Sequence, residues 1–228
     1  MTKHVFSETE WMRKLSQIKI SQQKMDQLVL EWLYTNGYSD AAKQFKKEVN
    51  IDNAVISPLL AERQYLRNLV SAGDVDGILN QMTATDPYFA ISAPKIAFHI
   101  LLLKFFEFDD SQLEDAIKFT RTELKSCIDM DESLKDELAA AMFFKINPEK
   151  LTLSIEDYKE NLSDELNDHL LKLSKWPRTS TLDHSVRFLL KAQEQLKKVA
   201  DFPILDINGM FCMPDTTEDM ANSESQSE

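Results

Sequence analysis

Apolar side chains recur every three or four positions through most of this chain, the period of an amphipathic helix. Met25, Leu28, Val29, Trp32 and Leu33 form one such stripe. Ser21 offers a hydroxyl to cap its start, and Gly37 stands where a helix ends in left-handed backbone. Ser39 is a second N-cap candidate, followed by a stripe of Tyr38, Ala41, Ala42, Phe45 and Val49. The spacing predicts two short helices joined by a glycine. Helices this short are marginal alone, and each large apolar side chain they carry gains roughly 1.5–3 kcal/mol on burial. Two helices barely shield Leu28, Trp32, Leu33, Tyr38 and Phe45 from water. Either a partner copy of the hairpin or the rest of this chain must cover them, and periodicity by itself favours the second.

The same period continues on both sides. Ser7 and Glu10 have capping-box spacing ahead of Trp11, Met12, Leu15 and Ile18, which predicts a short helix within residues 1–20. Residues 49–57 read as a linker, and Pro58 suits the first turn of a helix running to about Ala72 with Tyr65, Leu66, Leu69 and Val70 inward. Gly73 ends that helix. Asp74 opens the next, with Val75, Ile78, Leu79 and Met82 on one face. Asp86 and Pro87 mark a turn into a short element ending near Ser92. Pro94 then starts a helix to Phe108 that is apolar on nearly every face, and such a helix belongs in the middle of its module.

Asp109 or Asp110 caps a further helix, where Leu113, Ala116, Ile117, Thr120, Leu124, Cys127 and Ile128 predict one face held for four turns. Leu134, Leu138, Ala141 and Met142 follow, with Pro148 as a stop. Ile155 to Leu173 gives a long amphipathic helix ending before Pro177. A last stripe runs through Leu182, Val186, Leu189, Leu190, Leu196 and Ala200. The short loops imply an all-α, up-and-down array. From Pro214 the apolar pattern stops and only acidic charges remain, so residues 214–228 read as a disordered acidic tail.

Composition narrows the function classes. Four glycines and seven prolines in 228 residues are few for a β-rich or phosphate-cradling fold. The net charge of −12 disfavours sequence-independent binding to nucleic acid or anionic lipid and suits a protein that meets other proteins. Cys127 and Cys212 cannot make a zinc module, and they suggest a reducing compartment. Residues 1–8 lack the apolar core of a signal peptide. The run from Ile96 to Phe108 is too short for a bilayer and is broken by His99, Lys104 and Glu107.

One stretch carries a resemblance. Leu28-Val29, Trp32-Leu33, Gly37-Tyr38, Ala42, Phe45 and Glu48 are similar, position by position, to the LisH dimerisation motif. Behind it, Arg63 with Leu66, Gly73-Asp74 with Ile78, Pro87, and Phe98-His99-Ile100 resemble a CTLH module. Ala116, Phe119, Thr122, Leu124, Leu189-Leu190, Ala192-Gln193 and Leu196 resemble a CRA module. The resemblance places LisH at residues 21–53, CTLH at 58–115 and CRA at 110–208. It implies a LisH interface of Met25, Leu28, Val29, Trp32, Leu33, Tyr38, Ala42 and Phe45, with Gly37, Gly73 and Pro87 in structural roles.

The LisH–CTLH–CRA order without further domains is similar to the scaffold subunits of GID/CTLH ubiquitin ligases. It implies a non-catalytic subunit of the cytoplasm and nucleus whose partners are Ran-binding-protein-like, RING-type and armadillo-repeat subunits. The LisH pairing could be homotypic or heterotypic. A LisH adaptor in a microtubule-linked or transcriptional complex is the alternative.

Nothing in the residues prompts an enzyme. His4, His99, His169 and His184 lack a His or Cys at metal-ligand spacing, so no metal or cofactor is expected. No P-loop, nucleophile elbow or C-x-x-C occurs. Asp109-Asp110 and Glu156-Asp157 read as first-turn acids that suit a helix dipole.

Overall fold

The computed structural model describes residues 3–51, 55–146, 154–205 and 211–212. Pro148, residues 206–208 and the acidic stretch from Pro214 lie outside the described residues. The chain is mainly helical, in keeping with the all-α expectation. Strands among the described residues are limited to pairs of residues, His4–Val5 (β1), Ala200–Asp201 (β2), Ile204–Leu205 (β3) and Phe211–Cys212 (β4). Contacts divide the chain into two compact units, residues 33–178 and residues 1–32 together with 179–228.

The larger unit is built around α7 (Pro94–Glu107). Ala97, Phe98, Ile100, Leu102, Leu103 and Phe105 of this helix are buried, because it packs against α5 (Val75–Thr85), α6 (Phe89–Ser92), α9 (Lys125–Met130), α10 (Leu134–Ile146) and α11 (Ile155–Leu173). Its apolar surround predicts a central place, and it occupies one. Helix α11 also packs along α4 (Leu60–Ala72), which in turn meets α3 (Ser39–Val49). Gly73 closes α4 with φ +74°, and the Asp74 carboxylate caps α5 by accepting from the Gly77 N–H at 2.9 Å. The Asp86-Pro87 turn holds because the Asp86 carboxylate accepts from the Tyr88 N–H and the Ser92 hydroxyl.

Several expectations need correction. Pro58 lies outside α4; Leu59, in left-handed backbone at φ 52°, takes the N-cap position. Tyr65 is 51% exposed, because the inward line of α4 runs through Arg63, Leu66, Leu69 and Val70 and Tyr65 falls off it. Of the two cap candidates Asp109 takes the role, as expected, accepting from the N–H groups of Ser111 and Gln112. The predicted four-turn face after it is broken. A 3-10 turn (Asp110–Gln112) precedes α8 (Leu113–Phe119), and a π turn (Thr120–Leu124) separates α8 from α9. A π turn takes more residues per revolution than 3.6, so the stripe loses phase there. Ala116, Leu124 and Cys127 stay inward, whereas Leu113 and Ile117 face solvent. Met142 is 38% exposed, at the edge of the α10 face formed by Leu134 and Ala141.

In the smaller unit residues near the start of the described chain meet residues near 200. Strand β1 pairs in parallel with β2, so Ala200 belongs to a strand and not to the last helix, α12 (Thr181–Leu196). The Ser7 hydroxyl caps α1 (Glu8–Ser16), as its spacing predicts, and Trp11 of α1 stacks on Phe202 with ring centroids 4.9 Å apart. The Ser180 hydroxyl caps α12 and completes a capping box with Asp183.

Candidate functional site

The hairpin turn is held by two arginines of the larger unit. Helix α2 (Gln22–Thr35) ends in carbonyls that no intrahelical N–H reaches. Arg63, only 1% exposed, supplies the missing donors. Its Nη1 donates to the Thr35 carbonyl at 2.8 Å and to Asn167 Oδ1 at 2.7 Å. Its Nη2 donates to the Tyr34 carbonyl at 2.9 Å and to the Ser57 hydroxyl, and its Nε to the Pro58 carbonyl at 3.2 Å. Asn167 Nδ2 adds a bond to the Thr35 carbonyl at 3.1 Å.

A cation at this point also meets the negative end of the helix dipole. Burial, then the neighbouring Arg67 charge, pulls the Arg63 guanidinium down to about 10 against some help from Glu62, so it remains charged at neutral pH. Arg67 grips the next residues. Its Nε donates to the Asn36 carbonyl at 2.9 Å, its Nη2 pairs with Asp164 at 2.5 Å, and its guanidinium lies over the Tyr38 ring at 4.5 Å.

Gly37 sits inside this grip with φ +78°. A Cβ there would meet Asn167 Oδ1 at 3.0 Å and Arg63 Cβ at 3.3 Å. Gly37→Ala combines left-handed strain with a crowded neighbour that is itself locked by hydrogen bonds. A loss of about 1–3 kcal/mol is expected, read as a lowered thermal midpoint. Gly73 is less constrained by its surroundings, since the group its Cβ would meet is the far end of the Glu107 side chain. Pro87 is exposed in its turn.

The smaller unit holds the rest of α2. Trp32 Nε1 donates to Asp183 Oδ1 at 3.2 Å, and Glu31 accepts from the Thr181 N–H at 3.0 Å and from its hydroxyl at 2.8 Å. The start of α12 is thus latched to the end of the hairpin's first helix. Trp32→Phe keeps an aromatic ring but deletes the donor together with the pyrrole ring that carries it; a loss of about 1–2 kcal/mol or more is expected in denaturant unfolding.

The eight residues assigned to the LisH interface are placed differently from one another. Met25 is 39% exposed, Leu28, Val29, Trp32, Leu33, Tyr38 and Phe45 are half-buried or nearly buried, and Ala42 is fully buried. The smaller unit carries a larger apolar surface that the hairpin motif does not reveal. On α12, Phe188 is 70% exposed, with Val186, Leu189 and Leu196 also exposed. Met12, Ile18 and Ile20 of the N-terminal segment are exposed as well.

Titratable groups serve packing. His169 Nε2 lies 3.3 Å from Asp86 Oδ2. Burial of Asp86 is outweighed by its bonds from Ser92, Tyr88 and His169, which hold its carboxyl below the usual range. Burial pushes the Cys127 thiol up. Among the described residues no group of three His, Cys, Asp or Glu side chains is placed to hold a metal ion, and no helix is long and apolar enough to cross a membrane.

Comparison with known proteins gives two family matches. Residues 59–197 match the CTLH/CRA C-terminal to LisH motif domain, and residues 23–49 match LisH. The chain is similar to "Protein GID8 homolog" of Arabidopsis thaliana, 22% identical over 208 residues that cover 89% of this chain and 86% of the relative. It is 25% identical to "Glucose-induced degradation protein 8 homolog" of Dictyostelium discoideum over 88% of this chain and 91% of the relative. A third relative, "GID complex subunit 8" of Schizosaccharomyces pombe, is 20% identical over 76% of this chain and 72% of its own length.

Proposed function

The chain belongs to the CTLH/CRA C-terminal to LisH motif family, and from that membership we propose that it is a non-catalytic subunit of a GID-type complex. The relatives whose names carry the GID designation support this reading. Within such a complex the chain acts as a scaffold of a ubiquitin ligase in the cytoplasm and nucleus. It links RING-type, armadillo-repeat and Ran-binding-protein-like subunits.

The observation that carries the scaffold role is the apolar surface of the smaller unit. The start of α12 is latched to α2 through Trp32 and Asp183, and both helices carry apolar side chains that water reaches. Ala42 has no surface to offer a partner. The partner would meet the apolar side chains of these two helices that keep exposed surface, Met25, Leu28, Val29 and Trp32 on α2 and Phe188 and Leu189 on α12. The mechanism is geometric. Holding a substrate receptor and a RING subunit in one assembly raises the effective concentration of a substrate lysine at the loaded ubiquitin, and no bond is made or broken by this chain.

Affinity purification of the full chain from native lysate tests the assignment. Recovery of RING-bearing and armadillo-repeat proteins is expected. Recovery of tubulin-associated or chromatin proteins without ubiquitin machinery would overturn it in favour of an adaptor in another pathway.

A further inference from the structure

One imidazole in the larger unit is shared by two carboxylates from two different helices. His99 of α7 places Nδ1 2.6 Å from Glu165 Oε2 on α11 and Nε2 2.9 Å from Glu137 Oε2 on α10. The His99 side chain is 13% exposed. Glu137 Oε1 also accepts from Lys95 Nζ at 2.8 Å, and the Tyr158 hydroxyl of α11 donates to the His99 carbonyl at 2.8 Å. An ionised carboxylate only accepts, and a neutral imidazole has one N–H. Only the imidazolium donates to both carboxylates at once.

We propose that His99 is a proton-operated clamp that ties α10 and α11 to α7 when charged and loosens α10 when neutral. The bond to Glu165 is the shorter of the two, so the single N–H of a neutral ring stays with α11. The lone pair then turned toward Glu137 repels its carboxylate. Beneath that contact is an apolar cavity of about 250 Å³ walled by Leu102, Phe106, Ala141, Phe144 and Ile155. Loosening α10 widens this already half-open pocket for water or an apolar partner side chain.

The charged groups around His99 act with the clamp. From α7 comes Lys95, which is held charged mainly by its bond to Glu137, against the cost of burial. From α10 comes Glu137, and Asp131 lies just before that helix near Lys95. From α11 come Glu165 and Tyr158, whose phenol is driven well above its usual value by burial and then by the two carboxylates. Asp164, Asp168, His169, Lys172 and Arg178 line the cleft beside His99. Of these, Asp164 pairs with Arg67, Asp168 with Arg178 and His169 with Asp86. Burial opposes charge on His99, but the bonds and charges of Glu165 and Glu137 outweigh it and raise the ring above the ordinary histidine value of 6.5. A raised folded value means that the stabilisation is fully present below the unfolded value and is lost as pH climbs through the folded one.

The test follows His99 by nitrogen-15 NMR in the full chain while hydrogen exchange, corrected for intrinsic rates, reports α10. A His99 midpoint above 6.5 is expected. Protection of α10 amides should fall by up to about tenfold per pH unit between the unfolded value and that midpoint, then level off. Protection in α4 should stay flat. His99→Gln should abolish the pH dependence of α10; if that variant does not fold, the wild-type titration alone decides. A midpoint at or below 6.5, or α10 protection that is constant across the range, overturns the clamp.

Discussion

Arg63→Met is expected to lower the stability of the larger unit by about 2–4 kcal/mol, the cost of leaving buried hydrogen-bond acceptors without their donor. Methionine fills much of the volume but donates nothing. The Tyr34, Thr35 and Pro58 carbonyls, the Ser57 hydroxyl and Asn167 Oδ1 each lose a donor from Arg63. Some are rescued, since the Ser57 hydroxyl also donates to the Tyr34 carbonyl and Asn167 Nδ2 to the Thr35 carbonyl. Asn167 Oδ1 stays buried and the Pro58 carbonyl part-buried without that donor, and each such group costs about 1–3 kcal/mol. Arg63→Lys keeps a charge but lacks the planar fork that reaches carbonyls on both sides, so an intermediate loss is expected. Urea unfolding measures both. A loss under about 1 kcal/mol for Arg63→Met would show that water replaces the guanidinium without penalty.

The second large effect concerns assembly. Phe188→Asp with Leu189→Asp should weaken partner recovery at least about thirtyfold, the scale of losing a central apolar contact of about 2 kcal/mol or more. The thermal midpoint should move less than the binding does, because Phe188 is 70% and Leu189 44% exposed. Polar replacement of Leu28, Trp32 and Leu33 should also reduce association. Those three are partly covered within the fold, however, so folding and pairing would change together. The exposed pair on α12 separates the two effects. Pull-down from native lysate and light scattering of the purified chain provide the readout. Undiminished partners and unchanged mass with the double variant would place the pairing surface elsewhere.

Much of the candidate site is legible in the order of its residues. The stripe from Met25 to Leu33 and the glycine after it locate the hairpin, and Gly37 adopts the left-handed backbone its position demands. The role of Arg63 leaves a fainter trace. It lies three residues before Leu66 and seven before Val70, on the inward line of α4, where a charge is costly unless a partner offsets it. The groups that answer this charge leave no trace at all. Ser57, Asn167 and the Tyr34 and Thr35 carbonyls lie up to 104 residues away in sequence. The exposure of α12 is hidden for a related reason. Its apolar spacing marks a helix face, and spacing says nothing about what covers the face.

The sequence by itself determined the helices, most of their ends and the family. Caps at Ser7 and Asp74 and the terminators Gly37 and Gly73 act within about one turn, so neighbours along the chain are enough to specify them. The apolar surround of α7 likewise announced its central place. Tertiary structure decided the closure of β1 on β2, the latch between Trp32 and Asp183, the guanidinium at the end of α2 and the imidazole shared by Glu137 and Glu165. Each of these joins groups far apart in sequence. A buried donor or charge fixes that some partner must exist, but only the packing of the folded chain selects which one.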